Sequence, residues 1–415
     1  MRKKKRVLLF FTGTYPFGRQ EAFIENEIGF IAKAFDQVFL LPQTSTPTSR
    51  KVPSNVLVRK LPEPRGWRKG LTIIANATIT RVFWMNLGEV AQGNQPLYRI
   101  RTLASYVGLA RLYKNFVLRE VLTDFPKGTE IYLYSYWLDR NALAMVMLRD
   151  LLDARSVVAR VHRFDVYEER NPDSYLPLRR VLLKGIDSIH SISADAAEYL
   201  EARYPDCGAY KVSRLGTVRD KSAHPEAVQD SLHILSVSNV IPVKRVALIA
   251  DSIIDFAMRS PAISIRWTHF GDGPLFSDLQ RKVHEINLPN LIIDLRGGRL
   301  NSEIKSFYEE YRVDLFINLS ESEGIPVSFM EAMSYFVPVI ATNVGGVGEI
   351  LDEDCAYLLS ADINASQVAD KLCEIQADRK QLERLALRAQ ETWAEKYNAQ
   401  VNYPKFCVAL LGEGR

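Results

Sequence analysis

Short apolar runs recur along the chain, and helical periodicity fills the gaps between them. Val7–Phe11, Val38–Leu41, Ile131–Tyr136, Ser156–Val161 and Asp187–Ser193 are too short for helices and end at polar or turn residues. They read as strands buried on both faces. Glu21–Phe35 instead repeats Phe23, Ile24, Ile28, Ile31 and Ala32 near the 3.6-residue period, with Glu27 inside the stripe. Leu71–Val90, Leu97–Leu122 and Ala194–Tyr204 also read as helices. The alternation resumes with strands over Leu232–Ser238, Ile265–Gly271, Leu291–Leu295 and Asp314–Leu319. Strand–helix alternation of this kind predicts doubly wound α/β domains, with ligands at the carboxyl ends of the strands. The chain has 415 residues, too many for one ordinary core. The expected first domain is 1–222, closed by a polar linker over Val218–Ser231 that carries Pro225. The second is 232–395, followed by a terminal helical segment, 396–415.

The richest stretch is Ser320–Met333. A strand leads into the turn Glu323-Gly324-Ile325-Pro326, and good helix formers follow from Val327 to Phe336. Proline suits the first helical position, where its missing N–H costs nothing. A helix start offers free N–H groups and the positive dipole end to an anion. Glu323 lies in the turn and Glu331 on the helix, with seven residues between them. Carboxylates do not grip phosphate but accept hydrogen bonds from vicinal hydroxyls. Diphosphate on the N–H groups with acids on the flanking sugars describes a nucleotide-sugar site. The plainer reading is that both acids are solvated charges stabilised by the helix dipole.

Composition adds three points. The four cysteines and six histidines are scattered without metal-ligand spacing, so no metal site is read. The basic start Met1–Arg6 precedes only five apolar residues, below the ~7–15 of a signal sequence, and no run approaches the ~18 of a membrane span. The net charge of +4 divides into 35 Lys+Arg against 22 Asp+Glu over residues 1–222 (+13) and 18 against 27 over the remainder (−9). Much of the excess lies in residues 50–127, where 14 bases face 4 acids among Trp67, Phe83, Trp84, Tyr98, Tyr106, Tyr113 and Phe116. Bases and aromatics together suit an anionic lipid surface. The alternative is two ordinary helices with core aromatics and solvated bases; a third reading, nucleic acid, is not adopted.

Glu323-x7-Glu331 followed by Ala332-Met333, Pro338–Thr342 and Gly345-Gly346 closely resembles the donor-site signature of family 4 glycosyltransferases. The resemblance covers about Leu235–Leu359. It implies a retaining enzyme of GT-B architecture: two facing doubly wound Rossmann-like domains, with a C-terminal helix crossing back to the first. Thr14–Gly18 with Glu21, Phe23 and Glu25-Asn26-Glu27 resembles the N-terminal loop and helix of bacterial envelope-polysaccharide members. There the loop, here Gly13, Thr14, Tyr15 and Gly18, faces the donor phosphates and the acceptor. Arg160–Tyr167 resembles the segment whose His, here His162, lies near the transferred sugar; Asp165 is expected to fix the local backbone or bond a neighbour. Gly298–Tyr308 resembles the base-binding loop and helix. Where the family usually has Gly-Arg and then Lys, this chain has Ser238-Asn239 and Lys244, with Arg245 as the candidate replacement for the lost Arg.

The resemblance therefore assigns Glu331 to ribose hydroxyls, Glu323 to the donor sugar, and Lys244 with Arg245 to the diphosphate. Asn239, Gly324, Ile325, Pro326 and Gly298 complete the donor side. The implied partners are a nucleotide diphosphate sugar and a saccharide or lipid-linked acceptor, with no metal, no other cofactor and no nucleic acid. The implied place is the cytoplasm, peripheral to the inner face of the membrane through residues 50–127. A GT-B nucleotide-sugar epimerase and a non-catalytic nucleotide-binding subunit are the alternatives.

Overall fold

Val7, Leu8, Leu9, Phe10 and Phe11 are fully excluded from solvent, as a strand covered on both faces requires. They form the centre of β1 (Arg6–Thr12). The computed structural model describes residues 4–18, 20–66, 68–90, 92–125, 128–219 and 230–413. Trp67, the start Met1–Lys3 and most of the expected linker lie outside the described residues.

Two compact units emerge, Met1–Arg214 with Val401–Arg415, and Leu215–Gln400. In the first, β1 joins β2 (Gln37–Pro42), β3 (Val56–Val58), β4 (Glu130–Ser135), β5 (Ser156–Val161), β6 (Ser188–Ser191) and β7 (Tyr210–Val212). These form one sheet in the order β3-β2-β1-β4-β5-β6-β7, every pairing parallel. The second unit holds β8 (Ser231–Val237), β9 (Ser264–Phe270), β10 (Leu291–Leu295), β11 (Leu315–Asn318), β12 (Val339–Thr342) and β13 (Ala356–Leu359). Its order is β10-β9-β8-β11-β12-β13, again all parallel. In each sheet the order reverses once, beside β1 and beside β8. At such a switch point adjacent loops leave in opposite directions and open a crevice for ligands.

The boundaries differ from those expected. Leu215–Arg219 belongs to the second unit, not the first. Thr217 N donates to Tyr397 O at 3.0 Å, and Thr217 Oγ1 accepts from Trp393 Nε1 at 2.8 Å. A Cβ on Gly216 would lie 2.6 Å from Ala399 N, so glycine is needed for that approach. At the other end, the helix Arg379–Lys396 stays with the second unit, and Val401 onward joins the first. There Phe406, Cys407 and Leu410 are buried with Tyr134, and Tyr403 lies 5.6 Å from Phe30, ring to ring.

The expected single helix over Leu71–Val90 breaks into Arg68–Thr78, Arg81–Met85 and Leu87–Val90. Thr80 is extended, and its hydroxyl returns to Asn76 O at 2.8 Å, which stops the first helix. β3 and β7, three residues each at the sheet edges, carry too little pattern to be foreseen. Glu27, out of place in an apolar stripe, is fully buried and pairs with buried Arg160 at 3.4 Å. No helix among the described residues is long and apolar enough to cross a membrane.

Candidate functional site

β8 and β11 are neighbours, so their exit loops, residues 238–245 and 319–326, meet at the switch point of the second unit. Glu321 N donates to Val243 O at 2.9 Å and ties the loops together. Between them Lys244 Nζ donates to Glu323 Oε1 at 2.5 Å. The same carboxylate oxygen accepts from Asn318 Nδ2 at 3.1 Å, while Asn318 Oδ1 accepts from Ser320 N at 3.0 Å. Asn318 thus aims Glu323 from the end of β11. Sequence reasoning passed over this residue, although a polar side chain closing an apolar strand was the available signal.

Arg245 sits in the left-handed region at φ 45°. Its Nε donates to Leu319 O, and its Nη1 to Ala361 O at 2.9 Å. Its Nη2 is buried without a hydrogen-bond partner among the described residues. Arg245 therefore clamps two backbone segments through Nε and Nη1. Asn239 is exposed at the end of β8.

Close backbone approaches explain the glycines. A Cβ on Gly271, at φ 152°, would lie 1.8 Å from Ser238 O, and one on Gly346 2.5 Å from Gly324 O. Val240 N donates to Asp272 O at 2.9 Å, and Gly271 N to Gly297 O at 2.9 Å. The loop bearing Gly298 is thereby linked through residues 271–272 to the β8 loop.

The helix after the turn runs Val327–Ser334, with Pro326 as its N-cap and not its first helical residue. Ile325 is buried in the turn. Glu323 and Glu331 are only 7% and 6% exposed, so neither is the solvated helix-end charge of the plainer reading. Burial raises the Tyr308 hydroxyl well above its ordinary value, and the Glu331 carboxylate adds to this. Tyr308 stacks on Tyr335 at 4.9 Å, and its buried hydroxyl has no hydrogen-bond partner among the described residues.

The first unit holds the other expected residues. Asp165 organises His162: its two oxygens accept from His162 N and Leu138 N, each at 2.6 Å. The His162 ring lies 4.5 Å from Trp137 and 4.7 Å from Tyr136. Burial, then the charge of Arg160, holds the imidazole well below its ordinary pKa, so it is neutral. Both ring nitrogens are buried without hydrogen-bond partners among the described residues.

The Gly13–Gly18 loop is tied down by Glu21. The Glu21 carboxylate accepts from the N–H groups of Gly13 (3.0 Å), Thr14 (2.6 Å) and Tyr15 (2.6 Å), and from Trp137 Nε1. Three backbone N–H groups of the loop are therefore taken by an internal carboxylate. A Cβ on Gly13 would lie 2.9 Å from Glu21 Oε1, which is why glycine stands there. Gly18, at φ 65°, donates to Thr48 O at 3.0 Å. Among the described residues no group of three or more His, Cys, Asp or Glu side chains is placed to hold a metal ion.

Residues 218–392 match the family model "Glycosyl transferases group 1". The second unit is a group 1 glycosyl transferase domain. Its match includes Lys244, Arg245, Asn318, Glu323 and Glu331, all of the loop constellation described above. The chain is 25% identical over 261 residues to the putative colanic acid biosynthesis glycosyltransferase WcaL of Salmonella typhimurium, covering 61% of this chain and 64% of WcaL. It thus spans just under two thirds of that relative. Two solved structures share the fold over nearly the whole length. Sucrose-phosphate synthase from Thermosynechococcus elongatus has a TM-score of 0.65 at 15% identity, covering 97% of each chain. Anabaena HepE, solved with UDP-glucose, has a TM-score of 0.62 at 13% identity, covering 98% of this chain and 99% of that one. The likeness bears out two parallel-sheet α/β units of the GT-B class.

Proposed function

We propose that the chain is a retaining glycosyltransferase. It moves a sugar from a nucleoside diphosphate to a hydroxyl of a saccharide acceptor, carried on lipid, in envelope polysaccharide synthesis. One observation carries the reading: Lys244, Glu323 and Asn318 converge at the switch point of a group 1 glycosyl transferase domain, beside the start of the helix that bears buried Glu331. The name of WcaL supports the envelope assignment, and HepE with UDP-glucose supports a nucleotide sugar as donor.

In this reading the helix start and Lys244 take the diphosphate, Glu331 the ribose hydroxyls and Glu323 a hydroxyl of the donor sugar. As the diphosphate binds, Lys244 shifts part of its bonding from Glu323 to phosphate. That leaves a Glu323 oxygen, still held by Asn318, to accept from the sugar. The bond from the anomeric carbon to the phosphate oxygen breaks as the bond to the acceptor oxygen forms on the same face. The acceptor proton passes to the leaving phosphate. Lys244 stabilises charge that grows on that phosphate, so its effect is largest in the transition state. In the first unit, neutral His162 is the candidate to bond a hydroxyl of the transferred sugar. No metal or other cofactor enters, and the protein works at the cytoplasmic face of the membrane.

A thermal-shift screen of nucleoside diphosphates and their sugars tests this directly, since a ligand that binds only the native state stabilises by mass action. One nucleotide sugar should stand out. Glu331→Gln should weaken its binding by ~1–3 kcal/mol, the worth of a lost charge-assisted bond. Release of an isomer or free sugar from donor alone would instead mark an epimerase. Binding without turnover on any saccharide or lipid acceptor would mark a non-catalytic subunit.

A further inference from the structure

The described residues leave 18 large apolar side chains exposed, and seven of them fall between Leu71 and Ile100. The other eleven are spread over the rest of the chain, so these seven form a concentration. Leu71 and Ile74 project from the helix Arg68–Thr78, at 62% and 54% exposure. Ile79 follows in the turn after that helix, and Trp84 and Met85 in the helix Arg81–Met85, each more than half exposed. Leu97, at 72%, and Ile100 stand on the first turns of the helix Pro96–Phe116.

This surface is backed by the main core of the first unit. A Cβ on Gly108 would lie 2.2 Å from Ile73 O, so the two longer helices cross almost in backbone contact. Ala77, Phe83, Leu103, Val107 and Tyr113 fill the space beneath. The aromatic side chains of the region are thus mainly core, and its exposed apolar residues are mainly aliphatic. Trp84 is the exception. Its indole N–H donates to Thr78 O at 2.5 Å, which leaves an exposed ring with no polar group to solvate.

Charge decides the occupant. From Pro64 to Arg119 there are nine Lys+Arg and one acid, Glu89. Lys69, Arg81 and Arg101 are exposed and make no ion pair among the described residues. Exposed aliphatic side chains, together on one stretch with bases that make no ion pair among the described residues, match the boundary of an anionic bilayer, where acyl chains lie just beneath phosphates. A second copy of this chain would set base against base, which disfavours self-association through this face.

We propose that the face from Leu71 to Ile100 docks on an anionic lipid bilayer. Its aliphatic side chains and Trp84 enter the headgroup boundary, and Lys69, Arg81 and Arg101 meet the lipid phosphates. This docking is independent of what the second unit transfers, because no residue of the donor constellation takes part.

Flotation of the full chain with vesicles of phosphatidylcholine, alone or mixed with phosphatidylglycerol, tests it. Binding should require phosphatidylglycerol and weaken as salt rises, since exposed charges are screened. Two double variants separate the contributions: Ile74→Glu with Leu97→Glu, and Lys69→Glu with Arg81→Glu. All four positions are exposed, and circular dichroism would check that each variant folds. Each pair should reduce binding at least tenfold. Equal binding to both kinds of vesicle, no binding to either, or full binding by folded variants would overturn the proposal. So would a wild-type dimer in solution that Ile74→Glu with Leu97→Glu converts to monomer, since the face would then be an interface between copies.

Discussion

Lys244 Nζ lies 2.5 Å from Glu323 Oε1, and the bond joins the loops that leave β8 and β11. Two residues with separate proposed duties on the donor thus hold each other. The carboxylate is almost fully buried, while the lysine side chain keeps 22% of its exposure. In the proposed function the lysine swings toward an incoming diphosphate, and the carboxylate, gripped also by Asn318, stays for a sugar hydroxyl.

That coupling makes the two residues non-additive. Lys244→Met should lower turnover more than tenfold, about 1.4 kcal/mol or more. Part of the loss comes from taking the lysine's positive charge away from the buried Glu323 carboxylate. Glu323→Gln removes that burden, so the double variant should lose less than the sum of the singles. The expected coupling is about 0.5–3 kcal/mol, as for residues in direct contact. Strict additivity in steady-state kinetics would show that the pair does not act as a unit.

Arg245 should behave differently from Lys244. Its guanidinium bonds the carbonyls of Leu319 and Ala361, so Arg245→Ala removes partners from the backbone around the site. Unfolding stability should fall by about 1.5–3 kcal/mol, the range for hydrogen bonds to charged groups. Nucleoside diphosphate affinity in the folded variant should change much less. A large fall in affinity with unchanged stability would instead make Arg245 the substitute for the Arg that Asn239 replaces.

Glu21 gives the corresponding test in the first unit. Its carboxylate closes three successive backbone N–H groups and the Trp137 indole. Glu21→Gln keeps the size but offers one acceptor oxygen in place of two. Stability should drop by about 1.5–3 kcal/mol, as for other charge-assisted bonds. Trp137 fluorescence should shift, because the indole loses its anionic partner. If inorganic phosphate restored the loop in the variant, the nest would also serve external anions. No change in stability would mean that Glu21 is dispensable to the loop.

The sequence made some of this legible and hid the rest for physical reasons. The central strands were readable because burial on both faces leaves runs such as Val7–Phe11 with hardly a polar residue. The glutamate pair and its turn were readable because a strand, a Pro-marked helix start and two spaced acids fall within one short stretch. The Lys244–Glu323 bond was not, because 78 residues separate its partners and only the β8–β11 adjacency joins them. The bonds of Arg245 to Leu319 O and Ala361 O were not legible, because a charge count cannot tell a guanidinium that clamps carbonyls from one that awaits a phosphate. Glu21 was visible as part of a motif, but its place inside the loop depends on a left-handed backbone, at φ 54°, that few side chains announce. The first-unit boundary moved because Thr217 and Gly216 find their partners near Tyr397 and Ala399, far along the chain.

The buried histidines predict how stability follows pH. His269 is fully buried in β9, and its Nδ1 is bonded to Ser236 Oγ at 2.8 Å. Burial lowers its pKa from the ordinary 6.5 to about 4. The unfolded chain takes up this proton below pH ~6.5, whereas the native chain refuses it until pH about 4. Over that window the unfolded state binds more protons, so this group's contribution to stability is present above it and is lost as pH falls. Buried carboxyls with raised pKa values, Asp165 among them at about 7, pull the other way, so the net slope of the wild type does not isolate the histidine. The difference from His269→Gln does, since glutamine can still bond Ser236 but does not titrate. Between pH 6.5 and 4, the fall in unfolding free energy should be shallower in the variant by up to about 1.4 kcal/mol per pH unit, the slope of one proton. Denaturant titrations at half-unit steps of pH would measure it. Parallel curves for the two proteins would mean that His269 ionises in the native state as readily as it does in the unfolded chain.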